Sequence, residues 1–398
     1  MTRSLHTAVL PFAIILLAGC MSQSSAPVSG FTKSESRSIV ADQALQDRIM
    51  RGRQVVVSTA CGDCHGGGHP GGDGWLAGAK TVNDTLLAGP LKTYARNLTP
   101  HPTKGTGRYT ERQIFNALRY GLKPDETPDV EITSMTPGQG NFPAEPHYLA
   151  PSMPWIVWRY LSDEDIWAVA AYLKHGVKPV DNAPPKSEAP PDFWAKVTHE
   201  RLGGTPFPAA AYPTEHELPG ATPQMLRGRE LVIMKACSGC HGGGPNPAAK
   251  GYLAGVTDSV SDEFQIGPFR TRPRNLTPDN RTGMGRFTER QIFNALRFGL
   301  RPGETPDVEI TSTTPGQGNF PARPKYLAIP MPWPSWRHMP DADLWAIAAY
   351  LKKGVKPVSN FVKDSDGPPD FWASTYAVDK IGPWPAMPFP TANEQVSR

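Results

Sequence analysis

Two short stretches hold the residues best able to do chemistry: Cys61-Gly-Asp-Cys64-His65 and Cys237-Ser-Gly-Cys240-His241, each followed by three glycines. Cysteines three positions apart suit three chemistries. Half of a structural zinc site is one, but each half heads its own copy of a repeat and would need two further ligands, and a histidine next to a ligating cysteine does not easily turn onto the same ion. A dithiol redox centre is another, yet that motif opens a helix after a strand, and here it follows a helical run with no βαβ patterning. The third chemistry uses all three residues. Thiols at i and i+3 lie on one side of a helical turn, spaced to add across the two vinyl groups of a haem, and the next residue carries its imidazole over the porphyrin face to the iron. Covalent haem is therefore the reading for Cys61, Cys64 and His65, and again for Cys237, Cys240 and His241, giving two covalently bound haem c groups.

A sixth iron ligand has to come from elsewhere, and the repeat narrows the choice. Of ten histidines only His65 and His241 correspond between copies: His101 faces Asp279, His147 faces Lys325, His175 faces Lys353 and His338 faces Tyr160. Met135 faces Thr313. Met153 and Met331 do correspond, each followed by Pro-Trp and each shortly before the last helix of its copy. These two methionines are the expected axial ligands, and thioether ligation favours ferrous iron and raises the potential. His69, too near His65 in sequence to swing over the opposite face, is expected at the surface.

The elements that must position these residues come twice. MRGRQVVVSTACGDCHGGG (50–68) returns as LRGRELVIMKACSGCHGGG (226–244), TERQIFNALRYGL (110–122) as TERQIFNALRFGL (288–300), TPGQGNFPA (136–144) at 314–322, WAVAAYLKHGVKPV (167–180) as WAIAAYLKKGVKPV (345–358), and PPDFWA at 190–195 and 368–373. This is a tandem duplication of about 175 residues. In each copy one helix runs into the cysteine motif, with Leu45, Ile49, Gly52 and Val56, or Met225, Gly228 and Val232, on one face. A second starts at Thr110 or Thr288 in a capping box with Gln113 or Gln291 and stops at Gly121 or Gly299. A third carries Ile166, Val169, Ala170 and Leu173, or Leu344, Ile347, Ala348 and Leu351, and ends before Gly176 or Gly354. No stretch alternates for long as a strand would, so the expected class is all-α with long Pro/Gly-rich loops. Expected boundaries are 44–214 and 224–393 for the two modules, with 215–223 as linker and the last few residues frayed.

Composition agrees. The 398 residues include 44 Pro and 38 Gly, where average usage gives about half as many prolines. A net charge of +4, well mixed along the chain, offers no concentrated basic face, so nucleic acid is not an expected partner. Residues 1–19 read as a lipoprotein signal peptide: a basic start, then an apolar run too short to span a bilayer. Leu17-Ala18-Gly19-Cys20 resembles a bacterial lipobox, which implies lipidation of Cys20. Residues 20–43 then form a flexible tether on the periplasmic side of a bacterial membrane, with the outer membrane favoured by Met21 after the cysteine. Of five cysteines, one is for lipid and four are for haem, which leaves none for a disulfide.

The order of features resembles the class I c-type cytochromes: a helix with Gly52 or Gly228, C-x-x-C-H, the RNLTP loop, T-G-x-G before a helix, M-P-W, then W-A-x-A-A-Y-L-K. NLTPDNRTGMG (275–285) is especially similar to the multihaem cytochrome c subunits that accept electrons from membrane-bound alcohol, aldehyde and gluconate dehydrogenases. The resemblance covers nearly the whole mature chain and implies two tandem class I modules. It also implies that the first and third helices cross at Gly52 or Gly228 against Trp167 and Tyr172, or Trp345 and Tyr350. Two departures stand out: those subunits commonly carry three haems where this chain has two motifs, and each copy has an insertion between the middle helix and the methionine. Arg96 and Arg274 recur before the NLTP loop as candidate contacts for haem propionates, a bond to the backbone being the competing reading. Asn97 and Asn275 are weaker candidates of the same kind.

The expected function is single-electron transfer between a donor, a dehydrogenase or quinol-oxidising complex, and a respiratory acceptor such as a terminal oxidase. The alternative is a dihaem redox enzyme, a peroxidase or thiosulfate-type dehydrogenase, which needs one haem with an open or unusual ligand position. Methionine in both copies speaks against it.

Overall fold

A computed structural model describes residues 33–81, 85–88, 91–150, 153–187, 220–244, 246–256, 264–266, 269–328, 331–364, 376 and 381–396. Residues 1–19, read as a signal peptide, Cys20, the first residues of the expected linker and both PPDFWA copies lie outside the described residues. Two compact units divide the chain, Met1–Gln43 and Ala44–Arg398, and both copies of the repeat belong to the second. Among the described residues no helix is long and apolar enough to cross a membrane.

The first copy runs α1 (Lys33–Ser58), α2 (Cys61–His65), a hairpin of β1 (Thr85–Ala88) and β2 (Leu91–Tyr94), α3 (Glu111–Tyr120), α4 (Trp155–Trp158) and α5 (Asp163–Ala171). The second repeats this as α6 (Pro223–Met234), α7 (Cys237–His241), β3 (Phe264–Ile266), β4 (Phe269–Thr271), α8 (Glu289–Phe298), α9 (Trp333–Trp336) and α10 (Asp341–Ala349). The architecture is helical as expected, and the only strands among the described residues are two short antiparallel hairpins, Thr85 facing Tyr94 in one and Phe264 facing Thr271 in the other. One expectation needs correction. Helix α1 begins at Lys33, inside the stretch read as a tether, because from there to Ser58 only Gly52 interrupts a run of helix-compatible residues and no proline does.

In each copy the first helix crosses the last at a glycine. A Cβ on Gly52 would lie 1.9 Å from the Ala168 carbonyl oxygen, and one on Gly228 would lie 2.0 Å from that of Ala346. Tyr172 and Tyr350 flank these crossings, but Trp167 and Trp345 do not reach them. Their rings stack on Phe115 and Phe293 instead, at 4.6 and 4.5 Å. Bidentate pairs pin each crossing, Arg51 on Asp165 and Arg227 on Asp343. Because the obstacle is backbone, Gly228→Ala is expected to destabilise the chain by about 1–3 kcal/mol or more, read as a lowered urea midpoint; an unchanged midpoint would contradict the crossing.

The middle helices begin and end where their residues dictate. Thr110 and Thr288 accept from the amides of Gln113 and Gln291, whose side chains accept from the Thr amides, and Gly121 and Gly299 stop the helices in the left-handed conformation. The inserted segments hang from these helices. Buried Asn116 donates to the carbonyls of Pro128 and Val130, as Asn294 does to Pro306 and Val308. Each insertion has its own small core: Leu122, Ile132 and Phe142 in one, Leu300, Ile310 and Phe320 in the other. The main core is a single cluster that draws on both copies.

Residues 381–396 are held in place rather than frayed. After Arg337 binds the carbonyls of Ile381 and Gly382, the terminal segment reaches the first copy. Val177 pairs with Glu394 in an antiparallel bridge, and Thr391 and Asn393 donate to Pro70 and Gly72. Glu394, 1% exposed, accepts from Arg53 Nε at 2.6 Å and from the Tyr172 hydroxyl at 2.6 Å, and that hydroxyl accepts from Trp75 Nε1 at 2.9 Å. This segment also covers His69. The ring is half-buried against Gly382, so it is not the surface residue expected.

His338 sits at the same junction. Burial, and then the charges of Arg337, Arg297, Arg53 and His69, hold its pKa down at about 3, and its Nδ1 is buried without a partner. A histidine depressed on folding contributes stability that is present above its unfolded pKa of about 6.5 and is lost as pH falls toward the folded value. Acid destabilisation is therefore expected to begin near pH 6.5. His338→Tyr, the residue of the first copy, should flatten that part of the stability–pH profile; an unaltered slope would show that His338 does not contribute to it.

Candidate functional site

The two Cys-x-x-Cys-His turns are single helical turns entered from a left-handed alanine, Ala60 at φ 60° and Ala236 at φ 54°. They are left through the three glycines, all at positive φ: 95°, 81° and 63° in the first copy and 92°, 86° and 63° in the second. The glycines fold the chain back so that Gly78 N meets His65 O and Gly255 N meets His241 O, both at 2.7 Å. This gives the G-G-G tail its reason.

His65 is buried and His241 half-buried. His65 Nδ1 lies 2.7 Å from the Arg96 carbonyl and His241 Nδ1 lies 2.6 Å from that of Arg274. A carbonyl only accepts, so Nδ1 carries the proton and Nε2 keeps its lone pair, the tautomer an iron ligand requires. Burial also lowers both imidazole pKa values, which favours the neutral ring.

The thiols complete the set. All four are free; Cys64 and Cys240 are exposed, Cys61 is half-buried and Cys237 buried. Burial raises Cys61 to about 11 and Cys237 to about 12, and raises Cys64 and Cys240 as well. A dithiol redox centre depends on the opposite shift. Among the described residues no group of three or more His, Cys, Asp and Glu side chains is placed to hold a metal ion. Two thiols on one turn, with an imidazole oriented by a carbonyl, fit a covalently attached haem in each copy.

Met153 and Met331 occupy matching turns. Their amides donate to Ala150 and Ala328, and their carbonyls accept from Trp155 and Trp333. Those tryptophans are buried, stacked on Tyr148 and Tyr326 at 6.0 Å. The aromatic anchors fix the turns, and the methionines stay half-buried against the main core. Among the described residues, three of the histidines that do not recur are engaged elsewhere. His147 pairs with Glu126 where Lys325 pairs with Glu304, and His175 pairs with Glu111 where Lys353 pairs with Glu289. His101 Nδ1 accepts from the amides of Thr103 and Lys104, as Asp279 does from Arg281 and Thr282.

Arg96 and Arg274 hold backbone carbonyls, Arg96 that of Pro185 at 2.9 Å and Arg274 that of Val362 at 2.6 Å. Asn97 is fully used: its amide donates to Val180 and Asn182, and its oxygen accepts from Thr99. Asn275 repeats this with Val358 and Thr277, so both asparagines clamp the NLTP loop to the segment after the last helix. Sequence reasoning missed the Trp75, Tyr172, Glu394 and Arg53 network behind the first motif. A signal was there: YPTEHE (212–217) and FPTANE (389–394) share P-T-x-x-E.

Helices crossing at glycine, a Cys-x-x-Cys-His turn with a carbonyl-bound imidazole, and a Met-Pro-Trp turn, all present twice, define a tandem class I cytochrome. The family model for cytochrome c matches residues 49–176 and 225–354, and the chain belongs to that family, whose members bind haem c covalently. It is similar to the fructose dehydrogenase cytochrome subunit of Gluconobacter japonicus, 28% identical over 76% of this chain and 52% of that protein. The cytochrome c subunit of the quinone alcohol dehydrogenase of Gluconacetobacter polyoxogenes is 29% identical, over 78% and 56%. The gluconate 2-dehydrogenase cytochrome c subunit of Pantoea cypripedii is 28% identical, over 82% and 64%. The chain thus spans somewhat more than half the length of these relatives.

Proposed function

We propose that this chain carries single electrons between a dehydrogenase or quinol-linked donor and a respiratory acceptor, through two haems each ligated by histidine and methionine. The observation that carries this reading is the recurrence of one donor set: His65 and His241 oriented by the carbonyls of Arg96 and Arg274, and Met153 and Met331 on matching anchored turns. Haem, when bound, supplies a one-electron couple without bond rearrangement. The protein's part is to hold the imidazole tautomer, present a thioether and pack apolar residues around the group, the last two of which favour the reduced state. The names of the relatives support a sugar, alcohol or gluconate dehydrogenase as donor. The same reading assigns Arg96 and Arg274 to propionates through the guanidinium N–H groups not bound to the backbone, which in Arg274 are shared with Asp364. It also assigns lipid to Cys20, anchoring the chain on the periplasmic side.

Optical and EPR spectra of the oxidised and reduced protein test the ligation. Two low-spin methionine-ligated haems support the carrier, and a high-spin haem that binds added ligand would favour the dihaem enzyme instead. For the anchor, Cys20→Ala should move the protein from the membrane to the soluble fraction; membrane retention would reject lipidation at Cys20.

A further inference from the structure

Lys235 stands two residues before Cys237, where the first copy has Thr59. It is 9% exposed, and its Nζ donates to the Ser58 carbonyl at 2.8 Å and the Ser58 hydroxyl at 3.0 Å. Ser58 ends α1, just before Cys61. One side chain of the second copy therefore ties the entry of the second haem turn to the entry of the first.

The charges around it nearly cancel. Arg51, Arg227, Asp165 and Asp343 line the same cleft as Lys235 and Ser58. Each carboxylate is held by two N–H groups of one arginine, Asp165 by Arg51 and Asp343 by Arg227. Glu230 also binds Arg227, so three cations meet three anions, yet among the described residues no carboxylate bonds the ammonium itself, which rests on Ser58. Burial pushes its pKa down to about 7, against the opposing pull of Asp343 and Asp165. A buried cation is expensive to keep, and Thr59 shows that this position of the fold accepts a neutral residue.

We propose that Lys235 is a positioning residue for electron transfer, whose ammonium, shared by the two haem-attachment turns, raises the potential of both sites from a single point. The proposal rests on the two-haem reading above. Each site gains one electron from the donor and loses it to the acceptor with no bond made or broken, so reduction adds one negative charge. A cation in a low-dielectric junction stabilises that charge.

The test is spectroelectrochemical titration of the full haem-loaded chain and its Lys235→Met, Lys235→Thr and Lys235→Arg variants, with haem per chain measured first. Met and Thr are expected to lower both midpoints, by about tenfold in each reduction equilibrium or about 59 mV for a one-electron couple, while Arg holds them near the parent. Should Met fail to fold, Thr carries the test, since the first copy has it at the matching position. Two haems with unmoved midpoints, or a shift in one haem alone, would overturn the proposal. Fewer than two haems per parent chain would overturn the two-haem reading instead.

Discussion

Met331→Ala is expected to keep its haem covalently bound, to open that iron to added imidazole or carbon monoxide, and to lose a sizeable part of that site's potential. The attachment does not depend on the methionine, because Cys237 and Cys240 make it and His241 stays oriented by the Arg274 carbonyl. The turn is anchored by Trp333, so on the proposed ligation truncation would remove the ligand and leave its support standing. Axial ligands move haem potentials over about 0.8 V, which makes this the largest redox effect expected of one substitution here. Met153→Ala should do the same in the first copy. Met284 and Met339 supply the contrast: they are 6% and 3% exposed, and their truncation should cost about 2–5 kcal/mol of stability with little change in potential. Potentiometry and ligand-binding spectra of the four variants separate the roles, and an unchanged Met331→Ala spectrum would reject the ligand assignment.

Glu394→Ala is expected to destabilise the chain by about 3–5 kcal/mol, the usual cost of removing one partner of a buried ion pair. The change strands the Arg53 guanidinium and takes the acceptor from the Tyr172 hydroxyl, both close to the first haem turn. Glu394→Gln, which keeps shape and one acceptor, should lose less. Arg53→Met with Glu394→Met should recover much of the loss, because apolar replacement of a buried pair is often neutral or better. Urea unfolding of the full chain followed by circular dichroism measures all three. A loss below about 1 kcal/mol for Glu394→Ala, the range of an exposed pair, would show that the terminal segment adds little to the first copy.

The helices and the haem turns could be read from residues because local chemistry settles them. Thr110 with Gln113, and Thr288 with Gln291, form the capping boxes their spacing announces, Gly121 and Gly299 end the helices, and Gly52 and Gly228 mark the crossings. Recurrence between copies singled out Met153 and Met331 as candidates, and among the described residues His101, His147 and His175 are taken up by a turn amide or a carboxylate. What was not legible depends on partners far apart in the chain. Trp167 and Trp345 share a helix with the crossing residues but face Phe115 and Phe293, a choice made by packing rather than period. The guanidinium groups of Arg96 and Arg274 find carbonyls of a later loop that no local pattern announces. Glu394 was hidden because a lone carboxylate near a terminus looks solvated until Arg53, 341 residues earlier, is seen beside it.

That separation bears on the order in which the molecule is made. A chain emerging from its N-terminus presents Arg53, Trp75 and Tyr172 long before the carboxylate that satisfies them. The first copy is therefore the earlier one to be synthesised and the later one to be finished. A fragment ending after the first copy would lack Glu394, the carboxylate that binds Arg53 and Tyr172, so cutting the duplication at its seam would take a partner from the first copy.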